Sequence, residues 1–252
     1  MSFFQSSNPV LSEKRFQNSI PVSGEVMTVR GTMNKFGFLC IMMMTSAFYA
    51  WREFSFRDNA NMMPLILTGA IGGFIVALIL IFKNSWAPFL APIYALLEGL
   101  FIGSISAFYN YAFQDIAPNI ITTAVGLTLG VAVAMYFLYT MRIIKVTETF
   151  RSVVITATVG LAIFYLIAMV LGFFGINIGF IHEGSTMGII FSLVVVGLAA
   201  MNLILDFDRI EQASQAGAPK YMEWFGAFGL LVTIVWLYLE MLRLLSKLYS
   251  RE

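Results

Sequence analysis

A single cysteine, Cys40, and a single histidine, His182, occur among 252 residues, and Asp, Glu, Lys and Arg together supply only 12%. One cysteine excludes an internal disulfide and a cysteine-based metal cluster. Beside Ile41, Met42, Met43 and Met44, it reads as a buried apolar thiol. One histidine excludes a zinc site built on two, HExxH included, and no glycine-rich phosphate loop with its lysine occurs anywhere. A net charge of +1 leaves no basic surplus for a nucleic-acid backbone. A serine hydrolase would have to join Ser104 or Ser106, inside an apolar run, to His182 in an outer loop. A retinal-type cofactor would need a lysine deep in the last apolar run, where only Lys247, at its very end, is available. The expectation is a protein that is not an enzyme, carries no cofactor and binds no nucleic acid.

What the chain has instead is apolar length. It is 59% hydrophobic with a mean hydropathy of +0.84, the composition of an integral membrane protein. Seven apolar segments, near 34–51, 62–82, 89–111, 118–141, 153–174, 186–207 and 222–247, each approach the roughly 20 residues a helix needs to cross about 30 Å of hydrocarbon. Helices satisfy their own backbone in lipid, and the runs lack the alternation of barrel strands. The fold expected is therefore all-α, with seven transmembrane helices in one domain over 34–252. Residues 1–33, with Pro9, Pro21, serines and both charge signs, read as a polar, disordered cytoplasmic tail and not as a cleaved secretion signal. Its Phe3, Phe4 and Phe16 are candidates for touching the membrane surface.

Basic residues orient the spans. With the N-terminus in the cytoplasm, Lys14, Arg15, Arg30, Lys35, Lys83, Arg142, Lys145, Arg151, Arg209 and Lys220 fall inside, and only Arg52 and Arg57 fall outside before the last span. Arg243, Lys247 and Arg251 would emerge outside if that span crosses fully. The spacings Gly99/Gly103 and Gly126/Gly130, with Gly69, Gly72 and Gly73, predict close helix approaches. Pro64, Pro88, Pro92 and Pro118 stand at or near helix starts.

Acids inside the spans carry the functional argument, because each costs at least about 2.5 kcal/mol at membrane depth unless it faces a bundle interior, a partner or water. Asn202, Asp206 and Arg209 share a helical face, so Arg209 can neutralise Asp206. Asp208, Glu211 and Gln212 read as a solvated inner end. Glu240 has a local cation in Arg243, three residues on. Glu98, within YALLEGLFIG, has no charged neighbour on its helix and needs a partner from elsewhere, a proton or water.

LDFDRIEQ closing span six, YLEMLRLLSKL in span seven and YALLEGLFIGSIS in span three, taken in this order with seven spans, resemble the Bax inhibitor family, the transmembrane Bax-inhibitor-motif proteins. The resemblance extends over nearly the whole chain and is closest to a bacterial branch, which shares a tail like NPVLSE at Asn8–Glu13. It implies two groups of three helices around a central seventh helix. It also implies a proton-sensitive calcium leak controlled by two aspartates, with a cation at the inner end of span two latching onto the first. Carried over, the first acid is Asp206, the second is Glu240 and the latch is Lys83. Glu replaces the second aspartate, and Lys cannot make the forked contact of an arginine. The connection from Arg209 to Tyr221 is also longer than in the family pattern.

A depth problem accompanies this pairing. A helix starting at Met222 places Glu240 about 27 Å up, whereas Asp206 is near the inner end of span six. The acids meet only if residues 217–225 lie along the interface, the helices tilt or the last segment stops short; Glu98 is the substitute partner. Two functions follow. One is a pH-sensitive calcium leak of a bacterial inner membrane, monomeric, with calcium transiently at Asp206 and Glu240, and with Asp208, Arg209 and Glu98 as additional candidates. The other is a non-conducting regulatory protein that binds other membrane proteins or stress factors.

Overall fold

Long apolar runs become long helices, even where Pro92 falls inside one of them. The computed structural model describes residues 25–56, 63–175 and 184–250. Among them are seven α-helices: α1 (Val29–Phe56), α2 (Met63–Phe82), α3 (Ala87–Ala112), α4 (Ile120–Thr140), α5 (Glu148–Phe173), α6 (Thr186–Gln215) and α7 (Met222–Tyr249), with a 3₁₀ turn at Asn84–Trp86 before α3. The one β contact among the described residues is an isolated antiparallel bridge between Val26 and Pro219. The protein is all-α, and α2 to α7 are each long and apolar enough to cross a membrane. In α1 only sixteen residues separate Lys35 from Arg52, and Thr45 and Ser46 interrupt them. His182, Phe3, Phe4, Phe16 and Arg57 lie outside the described residues.

Local chemistry sets the helix ends. Thr147 caps α5 by accepting the Phe150 N–H at 3.1 Å, with Glu148 in the first turn. Gly217, at φ 70°, takes the left-handed conformation that ends α6. α1 begins at Val29, five residues before the apolar run expected from 34, because Thr28 Oγ1 accepts the Gly31 N–H at 2.9 Å and starts the helix there. Residues 25–28, read from sequence as tail, are held by backbone pairing described below.

Two compact units share the chain. The first contains residues up to Phe108 and Asp208–Val232; the second contains Tyr109–Phe207 and the residues from Thr233 on. The division falls inside α3, α6 and α7, where no linker composition marks it. The first unit packs Leu39 of α1, Leu80 of α2, Ala91, Tyr94 and Ala95 of α3 and Phe228 and Leu231 of α7 into one core. Its helices touch through glycine: a methyl added at Gly103 would lie 2.2 Å from the Ala47 carbonyl of α1, and one at Gly69 would lie 2.7 Å from the Leu97 carbonyl of α3. The second unit packs Val154, Leu198 and Leu205 with Phe150, Leu161, Met201 and Trp236. Gly126 and Gly130, expected to form a tight contact, have no atom within 4 Å of an added methyl. Four-residue spacing makes a close approach sterically available, but it does not supply the partner helix.

Candidate carboxylate sites on the last two spans

In the second unit, α6 and the later half of α7 run antiparallel in a register set by polar contacts. Thr233 donates its hydroxyl to Asp206 Oδ2 at 2.5 Å. Lys247, fourteen residues further along α7, donates to Ser192 Oγ at 2.9 Å and to the Gly188 carbonyl at 3.0 Å, near the start of α6. Thr233, Glu240 and Lys247 are seven residues apart in turn, so they share one face of α7.

Asp206 is half-buried. One turn before it, the Asn202 amide donates to Thr158 Oγ1 of α5 at 2.9 Å, which aligns the polar face expected from Asn202 and Asp206. Arg209, three residues after Asp206, is half-buried.

Glu240 is 3% exposed. Arg243 Nη1 donates to both its oxygens, at 2.9 and 3.0 Å, and the Tyr165 hydroxyl of α5 donates to Oε1 at 3.3 Å. The same Nη1 donates to Tyr165 Oη at 2.7 Å, closing a triangle. Among the described residues, Glu240 therefore takes its contacts from Arg243 and Tyr165. Because Asp206 faces Thr233, seven residues before Glu240, the two acids stand about 10 Å apart along the α7 axis. Asp206 meets α7 at Thr233 and Glu240 faces Arg243 and Tyr165, so the depth difference expected from sequence is reduced without producing a carboxylate–carboxylate contact.

Two basic residues expected to emerge beyond span seven turn inward. Lys247 is 2% exposed and bonded to α6, and Arg243 is bonded to Glu240 and Tyr165. Long aliphatic stems let both cations reach polar atoms inside the unit.

Other candidates lie in the first unit. Asp208, expected on a solvated face, is buried and accepts the Gln212 amide at 2.7 Å. Helix α6 continues to Gln215 there and also buries Ile210 and Ala213, so Asp208 is enclosed, while Gln212 is exposed and Glu211 half-exposed, as expected of a solvated end. Lys83 is exposed, with its ammonium 4.6 Å from the centre of the Trp86 ring. Glu98 is buried beside Gly73 of α2, with the Tyr94 hydroxyl of its own helix as donor.

The sequence model of a family described as Bax inhibitor 1 like matches residues 8–250. The chain belongs to that family. No curated protein matches the sequence. Within this Bax inhibitor 1 like chain, the strings that carry the resemblance fall on α3, on the end of α6 and on the later half of α7.

Sequence reasoning missed one cluster, centred on Glu223 in the first turn of α7. Glu223 is fully buried, and its carboxylate accepts the Thr28 N–H at 2.9 Å, the Thr28 hydroxyl at 3.0 Å and the Lys35 ammonium. Lys220 stands 3.4 Å from Glu223 and 3.5 Å from Glu25, and the Glu223 charge holds this exposed lysine's pKa above its usual value. The carboxylate sits where α1 begins, against bare Gly31: a methyl there would lie 2.1 Å from Glu223 Oε1. Backbone bonds reinforce the clasp, from Met27 N to the Ala218 carbonyl at 2.8 Å and from Lys220 N to the Glu25 carbonyl at 3.1 Å. A lone acid opening an apolar helix and a lone lysine entering another were the available signals.

Proposed function

We propose that this Bax inhibitor 1 like protein is a pH-sensitive cation leak, with calcium as the conducted ion and with Asp206 and Glu240 as the acids that control it. The observation that carries the reading is the Asp206–Thr233 contact, a carboxylate of one membrane-length helix met by a neutral hydroxyl of the next. With Glu240 about 10 Å further along the seam, two acids mark successive stations. At that separation and an effective dielectric near 20, two carboxylates repel by roughly 1.7 kcal/mol, against about 4 kcal/mol at 4 Å. They act as separate stations, not as a pair sharing one proton. Ionised Asp206 and the Thr233 hydroxyl offer the oxygen ligands a hard cation prefers, and at Glu240 the cation competes with Arg243. Protonation of Asp206 removes the attraction. In this reading the N-terminus is cytoplasmic, the protein works as a monomer in a bacterial inner membrane, two groups of three helices surround α7, and Lys83 restrains Asp206 in the closed state.

Calcium flux into dye-loaded liposomes, followed between about pH 5 and 8, tests the proposal. Asp206→Asn should flatten the pH dependence, and Lys83→Met should raise basal leak. Folded Asp206→Asn and Glu240→Gln variants that leak like the parent at every pH would overturn it. Labelling of His182→Cys with an impermeant reagent, in a Cys40→Ala background, tests the orientation.

A second reading has its own support. Glu240 is 3% exposed and enclosed by Arg243 and Tyr165, as a structural acid in a non-conducting regulatory protein would be. Absence of calcium flux from the folded parent protein would favour it.

A further inference from the structure

Glu98 belongs to the first unit and takes no part in the α6–α7 seam. It lies in the middle of α3 and is 9% exposed. From Met63 to Ala112, through α2, the turn and α3, the charged residues are Lys83 and Glu98 alone. Lys83 precedes the start of α3, itself three helical turns before Glu98.

The groups that the structure places against Glu98, and those that pack on them, are neutral. From α2 comes the bare backbone of Gly73, where an added methyl would lie 3.2 Å from Glu98 Oε2 and 3.8 Å from the Tyr94 ring. From α3 comes the Tyr94 hydroxyl, which donates to the carboxyl group. Helix α7 presents Phe228, edge-on to the Tyr94 ring at 4.8 Å. Helix α1 brings the Cys40 thiol to the core that holds Tyr94, and brings Ser46 against Gly99. The charges of α1 are distant from that level: Arg52 is six residues from Ser46 and Lys35 eleven, about 9 and 16 Å along the axis. Glu223, the acid of α7 in this unit, is bound by Lys35.

An ionised carboxylate at membrane depth persists where a cation, a partner or water answers its charge. One phenol supplies a hydrogen bond and no countercharge, whereas the neutral acid needs none. We propose that Glu98 is a second proton-binding site, a carboxylic acid of the first unit that takes up and returns its proton independently of Asp206 and Glu240. The protein thus holds acids of two kinds, one answered by fixed cations and hydroxyls, the other by a proton.

Carbodiimide labelling of the purified protein in liposomes tests the site without requiring conduction. The acid O–H adds across one C=N bond of the reagent, and acyl transfer to nitrogen leaves a stable N-acylurea that retains every atom of both partners. With apolar dicyclohexylcarbodiimide, peptide mass spectrometry should find the adduct on Glu98 at pH 5, falling by roughly tenfold or more by pH 9. A water-soluble carbodiimide should leave Glu98 unmodified, and Glu98→Gln should abolish the adduct. No adduct at pH 5, a yield that does not change with pH, or equal labelling by the water-soluble reagent would overturn the proposal. A protein that conducts no calcium yet labels in this pattern retains the site, and one that conducts but does not label loses only this site.

Discussion

Two buried acids on one helix, Glu223 and Glu240, are satisfied in different ways. They are seventeen residues apart in sequence and lie in different compact units. Glu223 draws its donors from Thr28 and Lys35, 195 and 188 residues away in sequence, and a flanking charge from Lys220. Glu240 draws a cation from Arg243, three residues on, and a hydroxyl from Tyr165. The first arrangement closes the fold, because forming it brings the start of α1 to the start of α7. The second is built mainly along one helix and can exchange its cation without undoing that closure. This contrast separates an acid that ties distant segments together from one answered largely within its own helix.

Breaking the first arrangement should have the largest effect. Glu223→Ala leaves the partly buried Lys35 ammonium and the Thr28 N–H without their acceptor, a loss of about 3 to 5 kcal/mol by the measure of broken buried pairs. Thermal unfolding in detergent, followed by circular dichroism or a thiol-reactive dye reporting Cys40, checks it. Lys220→Ala should cost much less, since that lysine is 44% exposed and water replaces it. Equal losses for the two variants would remove the distinction between a buried clasp and a surface pair.

The next effect comes from the second arrangement. Arg243→Met leaves Glu240 buried without its cation, at a cost of roughly 2 to 4 kcal/mol, and Glu240→Gln in the same chain should recover most of it by removing the stranded charge. The double-mutant cycle is the measurement. If the double variant is as unstable as Arg243→Met alone, Arg243 acts through Tyr165 packing, and the contrast with Glu223 narrows.

These two acids also mark how far the sequence could be read. The helices were legible because lipid demands long apolar runs, and the Gly99/Gly103 contact was legible because close approach needs a missing side chain. The pairing of Glu240 with Arg243 was legible as a three-residue helical spacing. The Glu223 clasp was not, because nothing periodic links Thr28 and Lys35 to an acid nearly two hundred residues away. Asp208 was misread for a related reason: a charged end of an apolar run resembles a solvated one until the helix is seen to continue inside a packed unit. The unit boundary left no mark, since it cuts through helices. At Asp206 the carboxylate was legible from its place in the span, but the Thr233 contact was not. Thr233 is one hydroxyl in an apolar helix, indistinguishable by composition from a threonine bonded to its own backbone.

That contact gives the smallest and most selective test. Thr233 is itself largely buried, and its hydroxyl reaches Asp206 Oδ2 at 2.5 Å. Thr233→Val keeps the branched shape and removes only the donor, so the expected loss is that of one hydrogen bond to a charged acceptor, about 1.5 kcal/mol. Thr233→Ser keeps the donor and should retain most of that stability while losing one methyl group, about 0.8 kcal/mol. Because the carboxylate remains in Thr233→Val, this variant separates two roles that Asp206→Asn changes together, the charge itself and the side chain that holds it in place. In the liposome assay Thr233→Val should still leak calcium with a pH dependence, now with a shifted midpoint. A Thr233→Val protein with parental stability and an unshifted profile would mean that the α6–α7 seam does not position Asp206, and that the two acids of the second unit are no more linked through α7 than Glu223 and Glu240 are.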